Sequence, residues 1–133
     1  MRFERKSSAL LIILSMIILI SIIAKIGIDF TVSNRTLNLK IINSTRALYF
    51  AEAGLKKAMY EIKNNADPSS KSGVWIFAGQ SVTITIDPDP AATPDEYRVI
   101  SENTFKNCQK RIQAAVRKDC VNNTVELLEW QEI

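Results

Sequence analysis

The side chains best suited to chemistry are scarce in this chain of 133 residues. Histidine, the commonest general base and the commonest neutral metal ligand, is absent. No serine or cysteine has a recognisable base beside it in the sequence, so nothing resembles an activated nucleophile. The sequence therefore predicts that the protein is not an enzyme and that it needs no cofactor.

The densest group of carboxylates lies in a proline-rich segment and consists of Asp87, Asp89, Asp95 and Glu96. Their oxygens suit a hard cation, but a calcium loop needs a fixed ligand spacing and a glycine at its sharp turn. Neither feature occurs in this segment. We interpret it as a solvated acidic loop, and no metal site is predicted.

A basic group in the C-terminal half raises the question of nucleic-acid binding. A groove for single strands interleaves cations with aromatic side chains, whereas Arg111 and Arg117 alternate with apolar residues as on an exposed strand face. The net charge of +3 is also small. Nucleic acid is therefore not expected as a partner. The basic residues in question are Lys106, Lys110, Arg111, Arg117 and Lys118.

The two cysteines, Cys108 and Cys120, flank the same predicted strand. If the intervening residues form one extended strand, the thiols lie about 40 Å apart, too far for a disulfide. They then share the inward parity of Ile112 and are buried free thiols, which is our first interpretation. A disulfide requires the chain to fold back at 118–120, and an exported domain permits one. The state of the cysteines therefore stays open.

Charge is missing from one stretch near the N-terminus. Between Ala9 and Ala24 no residue is charged and only Ser15 and Ser21 are polar, which gives an apolar run of 16 residues. A membrane-spanning helix needs roughly 17–25 residues, and Lys25 lengthens the run because its ammonium can snorkel to the headgroups. The sequence predicts a transmembrane helix over residues 8–28.

Basic residues precede this run, at Arg2, Arg5 and Lys6. Positive charge is retained on the cytoplasmic side of a membrane, so we expect a cytoplasmic N-terminus and an exported remainder, anchored in the cell (inner) membrane. An ordinary secretory signal peptide is the alternative, but Ser21–Ala24 offers only a poor small-x-small cleavage site. A single-pass protein in contact with the lipid bilayer is the prediction.

Good helix formers continue beyond the anchor, without a proline, as far as Asn65. The predicted amphipathic continuation covers residues 29–65 and ends where a proline closely follows Asn64 and Asn65. Apolar residues recur in it at helical spacing and form a stripe on one face. The stripe consists of Leu37, Ile41, Leu48, Ala51, Leu55, Ala58 or Met59, and Ile62.

Three residues of this helix invite a functional interpretation. Gly27 is either a glycine tolerated at the membrane surface or a weak point where the helix stretches, since glycine costs about 1 kcal/mol in a helix interior. Glu52 is either a solvated or ion-paired charge on the helix surface, with Lys56 at i, i+4 as the candidate partner, or a contact to the globular domain or to a neighbouring subunit. Gly54 would let another backbone approach closely.

Before Pro68 the apolar residues recur at helical spacing, and after it they alternate with polar residues as in β-strands. The sequence predicts an α+β protein in which residues 66–133 form a small antiparallel meander of about four strands. This meander packs against the amphipathic half of the long N-terminal helix and buries its stripe. The predicted strands are 74–77, 82–86, 97–101 and 110–118, with 124–130 as a candidate for a last edge strand.

Two segments resemble one known family. Arg5–Leu11, which joins a basic leader to the apolar run, resembles the class III signal sequence of type IV pilins and pseudopilins. Ala47–Leu55 reads ALYFAEAGL and resembles the AxxAEAGL element of PilX-type N-terminal domains, with AEAGL at Ala51–Leu55 as the distinctive part, and Asn43 and Arg46 fit the same pattern. The chain is therefore similar to the type IV pilin-like proteins with a PilX-type N-terminal domain.

The resemblance implies that residues 1–7 are a leader peptide that prepilin peptidase removes. Ser7 stands at the position before the cut, where the family usually has glycine, and Ser8 becomes the methylated first residue. Ile12 then occupies the fifth mature position, where major pilins carry glutamate. A buried carboxylate would be kept for a partner, so its absence implies a minor subunit that helps to initiate or cap the filament.

Assembly of such a filament implies contacts with other pilin-like subunits and with an inner-membrane assembly platform. The machine is a type IV pilus or a type II secretion-like pseudopilus. The residues assigned to packing and assembly are Ile12, Gly27, Leu48, Ala51, Glu52, Gly54 and Leu55. The alternative function is a single-pass anchored protein whose exterior β domain binds a ligand or an envelope component.

Overall fold

The computed structural model describes residues 2–88, 93 and 95–133, with side chains from Ser8 onward. Met1, the side chain of Ser7 and most of the predicted acidic loop (89–92 and 94) lie outside the described residues. One long helix, α1, runs from Arg2 to Asn64. The chain forms two compact units, Met1–Leu39 and Lys40–Ile133.

The first unit is the apolar part of α1, in which every described side chain from Ser8 to Leu39 is exposed. An 18-residue window with a mean hydropathy of 2.8 makes this helix long and apolar enough to span a membrane, and none of the window is buried within the protein. The hydroxyls of Ser15 and Ser21 donate to the carbonyls of Ile12 and Ile17, each at 2.8 Å. These polar groups are thus satisfied inside the helix, as a lipid environment requires.

The second unit begins with the last part of α1, which ends at Asn64, one residue before the end predicted from the sequence. The side-chain amides of Asn64 and Asn65 donate to the carbonyls of Tyr60 and Glu61, both at 2.9 Å, and the backbone N–H of Asn65 also donates to the Glu61 carbonyl at 3.0 Å. A short 3-10 helix, Pro68–Lys71, follows. Because proline has no amide hydrogen, Pro68 prevents the helical hydrogen-bond pattern from continuing.

The remaining elements form a five-stranded antiparallel meander in the order β1-β2-β3-β4-β5. The strands are β1 (Gly73–Phe77), β2 (Gln80–Pro88), β3 (Glu96–Phe105), β4 (Cys108–Asp119) and β5 (Thr124–Glu132). The α+β prediction with a long N-terminal helix is confirmed, but the count of about four strands is wrong. The candidate edge strand is a full member of the sheet and pairs with β4 from Asp119–Thr124 to Ile112–Glu132.

Tight turns join two of the hairpins. The β1–β2 turn has Ala78 and Gly79 at φ of 48° and 78°, and the β3–β4 turn has Lys106 and Asn107 at 45° and 66°. Two successive residues with positive φ match the right-handed twist of the flanking strands. The second turn extends β3 to Phe105, four residues beyond the predicted end of that strand at Ser101.

The core lies between α1 and the inner face of the sheet. Residues that alternate along three strands are buried, in agreement with the predicted inward parity of β2 and β4. A helix about 10 Å wide cannot cover five strands spaced by about 4.8 Å, so the edge strands β1 and β5 are only partly covered. The inward core residues are Val82, Ile84 and Ile86 on β2, Val99, Ser101 and Asn103 on β3, and Ile112, Ala114 and Val116 on β4.

Candidate functional site

The predicted helix stripe meets the sheet through small side chains. Ala47, Ala51 and Ala58 are fully buried, and Gly54 lies on the same face. A Cβ atom on Gly54 would lie 2.6 Å from Val82 Cγ1 and closer still to Ser101 Oγ. The absence of a side chain at Gly54 therefore leaves the space that the side chains of Val82 and Ser101 occupy, and no backbone atom is among its nearest neighbours.

The structure divides the predicted assembly residues into two groups. Ala51, Gly54 and Leu55 are buried in the chain's own core, and Leu48 is partly buried against it. Ile12 is exposed, and nothing lies within 4 Å of a Cβ built on Gly27. The stripe is also uncovered at its start, because Leu37 and Ile41 are exposed although they share the spacing of the buried residues.

A groove lies beside the packed face, between α1 and β5. Its volume is about 250 Å³, and apolar side chains line most of it. Glu52 and Lys56 stand on its helix side. The predicted Glu52–Lys56 ion pair does not form among the described residues, and the half-buried Glu52 makes no other ion pair there. The apolar lining consists of Leu55, Met59, Ile112, Leu127 and Trp130.

An ion pair does form one turn further along the helix. Lys57 Nζ lies 2.7 Å from Glu61 Oε1, and the Glu61 side chain is only 11% exposed. The amide of Asn65 donates to the other carboxylate oxygen at 2.7 Å. Lys57 Nζ also lies 4.5 Å from the ring centroid of Trp75, within the range of a cation–π interaction. The sequence reasoning missed this cluster, although the i, i+4 spacing of Lys57 and Glu61 could have indicated it.

The hydrogen bond from Lys57 lowers the pKa of Glu61 below its ordinary value, and the hydrogen bond from Asn65 acts in the same direction. A carboxylate whose pKa is lower in the folded state stabilises that state above its unfolded pKa, and this contribution disappears as the pH falls through the folded pKa. We therefore expect the full chain in detergent micelles to lose stability relative to Glu61→Gln between about pH 5 and pH 3. Urea unfolding followed by circular dichroism measures the difference, which is on the order of 1 kcal/mol. Parallel pH profiles of the two proteins would contradict this expectation.

Aromatic and basic side chains cluster at the β3–β4 turn. The rings of Phe50 and Phe105 stack with centroids 6.2 Å apart. Arg46 lies 5.8 Å from the Phe105 centroid on one side of this pair, and Lys106 lies at the same distance from that ring. Arg46 therefore packs against the Phe105 ring at this end of the sheet.

The two cysteines are free thiols. Cys108 is partly buried and its Sγ lies 3.9 Å from the carbonyl oxygen of Lys40, whereas Cys120 is exposed. The predicted burial is wrong for Cys120, because β4 ends at Asp119 and places Cys120 in the turn that follows, and Cys108 is buried only in part. A hydrogen bond to Asp95 raises the pKa of the Cys120 thiol, which makes it a poorer nucleophile.

Two ion pairs join charged residues of neighbouring strands among β3, β4 and β5. Arg117 donates to Glu96 Oε1 through Nε at 2.9 Å and Nη2 at 2.6 Å, and Lys110 pairs with Glu132. Lys118 donates to the carbonyl of Asn65 at 2.8 Å. Across the described ranges, no group of three or more histidine, cysteine, aspartate or glutamate residues is placed to hold a metal ion.

The arrangement therefore presents packing surfaces: an uncovered apolar helix, a close helix–sheet contact and an apolar groove with a carboxylate at its rim. No family model, curated protein or solved structure matches the chain.

Proposed function

We propose that this chain is a minor subunit of a type IV pilus-like or type II secretion-like filament, which it helps to initiate or cap through helix packing. The observation that carries the proposal is the uncovered part of α1. Its apolar side chains continue past the 8–28 anchor to Phe30, Val32, Leu37 and Leu39, all more than half exposed.

These residues lie on two opposite faces of the helix. Phe30 and Leu37 are seven residues apart and share one face, and Val32 and Leu39 are spaced in the same way. Each residue advances about 100° around the axis, so the second pair lies about 200° from the first. Contiguous exposed apolar surface marks an interaction site. A helix with two such faces suits a position between neighbouring helices, as in a filament of helical subunits.

The resemblance of Ala47–Leu55 to the PilX-type element supports the same function. Ala51 and Gly54, the small residues of this segment, lie against the sheet. The side chains of residues 8–39 of α1 are all exposed instead, so this part of the helix can contact other subunits. The apolar Ile12 supports a minor role, since the helix then offers no carboxylate to the amino group of a neighbour.

The alternative is a single-pass anchored protein whose exterior domain binds a ligand or an envelope component, and the groove beside β5 favours it. Fractionation of cells that express the tagged chain from its native locus separates the two functions. We expect the chain in the filaments sheared from the cells. Its confinement to the membrane fraction, while other filament subunits are sheared off, would overturn the proposal.

A further inference from the structure

Another groove lies at the end of the sheet that carries the β1–β2 and β3–β4 turns, and we call it the turn-end groove. It is lined by Arg46, Tyr49, Phe50, Ala78, Gln80 and Phe105. Its volume is about 350 Å³, at the lower end of the range for ligand pockets. The stacked rings of Phe50 and Phe105 are partly buried, whereas Tyr49 is 64% exposed. The turn-end groove therefore has room for one large apolar side chain of a partner.

The charged side chains at this groove are basic. Arg46 belongs to the lining, and Lys106 lies as close to the Phe105 ring as Arg46 does, with 5.8 Å to the centroid. Neither cation forms an ion pair with a carboxylate in the described part of the chain. No carboxylate lines the groove, and Glu102 on the same strand accepts a hydrogen bond from the Gln109 amide instead. Two cations of this kind beside apolar rings favour an anionic partner with an apolar group.

The positions of the two cations indicate the form of such a partner. Both lie 5.8 Å from one ring centroid, so they are separated by no more than twice that distance. In an extended peptide the side chains at i, i+2 and i+4 point to one face, and the outer two residues are about 13 Å apart. A short peptide can therefore place one apolar side chain in the groove and a carboxylate beside each of Arg46 and Lys106.

A protein segment fits this surface better than an anionic membrane does. A membrane-binding surface inserts protruding apolar side chains among the lipid headgroups, whereas Phe50 and Phe105 are partly buried and line a concave groove. Gln80 in the lining also carries an amide, which can donate to and accept from the backbone of a bound peptide.

We propose that the turn-end groove binds an acidic segment of a partner protein, with one large apolar side chain in the groove and carboxylates beside Arg46 and Lys106. All of these residues belong to the second unit of the chain. The proposal therefore goes beyond the filament function and does not rest on it.

Fluorescence anisotropy of a labelled peptide tests the proposal on the full chain in phosphatidylcholine nanodiscs. The probe is Glu-Ser-Phe-Ser-Glu with blocked ends, which carries two carboxylates on the same face as one ring. We expect this probe to bind about tenfold more tightly than Lys-Ser-Phe-Ser-Lys, which reverses the charges, and than Glu-Ser-Ser-Ser-Glu, which lacks the ring.

Charge reversal in the protein provides the matched test. Arg46→Glu together with Lys106→Glu should weaken binding of the probe about tenfold, because both exposed side chains then repel its carboxylates. Lys56→Glu together with Lys63→Glu is the control, since it changes the net charge equally at two exposed positions that do not line the groove. It should change the affinity less than about twofold, because salt screens distant charges. Circular dichroism checks that both variants are folded.

Equal affinity of the probe for the wild type and for the Arg46→Glu, Lys106→Glu variant would overturn the proposal. Equal affinity of the wild type for the acidic and the basic peptide would overturn it too, as would the absence of probe binding at millimolar concentration. If the nanodiscs instead co-sediment with phosphatidylglycerol vesicles, and the double charge reversal abolishes this, the surface binds lipid and the proposal is wrong. None of these results changes whether the chain is found in sheared filaments, so a failure here leaves the proposed function standing.

Discussion

Gly54→Ala is expected to destabilise the folded unit by about 2 kcal/mol, because the new methyl group overlaps buried atoms. Its Cβ would lie 2.6 Å from Val82 Cγ1 and closer still to Ser101 Oγ. Alanine in place of glycine ordinarily favours a helix by about 1 kcal/mol, so the steric cost must exceed this gain. The melting temperature of the full chain in detergent micelles, followed by circular dichroism, should fall by roughly 10 °C.

Gly27→Ala is the matched control, since nothing lies within 4 Å of its new Cβ. It should leave the melting temperature unchanged or slightly higher. Ser101→Ala should recover part of the stability of Gly54→Ala, because it removes the nearest clashing atom and a buried hydroxyl that has no hydrogen-bond partner. If Gly54→Ala and Gly27→Ala had the same effect, the close contact between α1 and the sheet would be contradicted.

Ile84→Ala is expected to cost about 3 kcal/mol, because it opens a cavity in the centre of the core. Ile84 is 1% exposed and pairs with Ser101 on β3, opposite the helix face that contains Gly54. Urea unfolding of the full chain in detergent micelles measures the loss.

Ile76→Ala provides the comparison for Ile84→Ala, with the same change of side chain on the outer face of β1. Ile76 is 77% exposed, so its truncation should change the unfolding free energy by no more than about 0.5 kcal/mol. Similar losses for the two variants would mean that the helix does not cover the inner face of the sheet.

The helix and strands whose apolar residues recur at regular spacing could be predicted from the sequence. The long helix, its end near Asn64 and the inward parity of Val82 to Ile86 follow from spacing and from Pro68. The extension of β3 could not, because the Lys106–Asn107 turn lacks the glycine that usually signals a tight hairpin. The inward residue Asn103 of that extension is polar as well. Its amide donates to the Ser81 carbonyl at 2.8 Å, which reduces the cost of its burial and is a contact that no local pattern encodes.

The residues of the candidate site could be predicted from the sequence, but their contacts could not. Gly54 signalled a close approach, but only the folded chain shows that Ser101 and Val82 are its neighbours. The sequence does not decide between the two interpretations of Glu52, because its surroundings depend on β5, whose alternation is interrupted at Leu128. Where residues distant in sequence meet, the helical or strand period alone does not identify the partner.

We propose that this chain is a processed filament subunit with a long packing helix, and the intact mass of the protein from sheared filaments tests this most directly. We expect a mass that lacks Met1 to Ser7 and carries one methyl group on Ser8. A filament-free protein that retains Met1 and an unmodified N-terminus would contradict it.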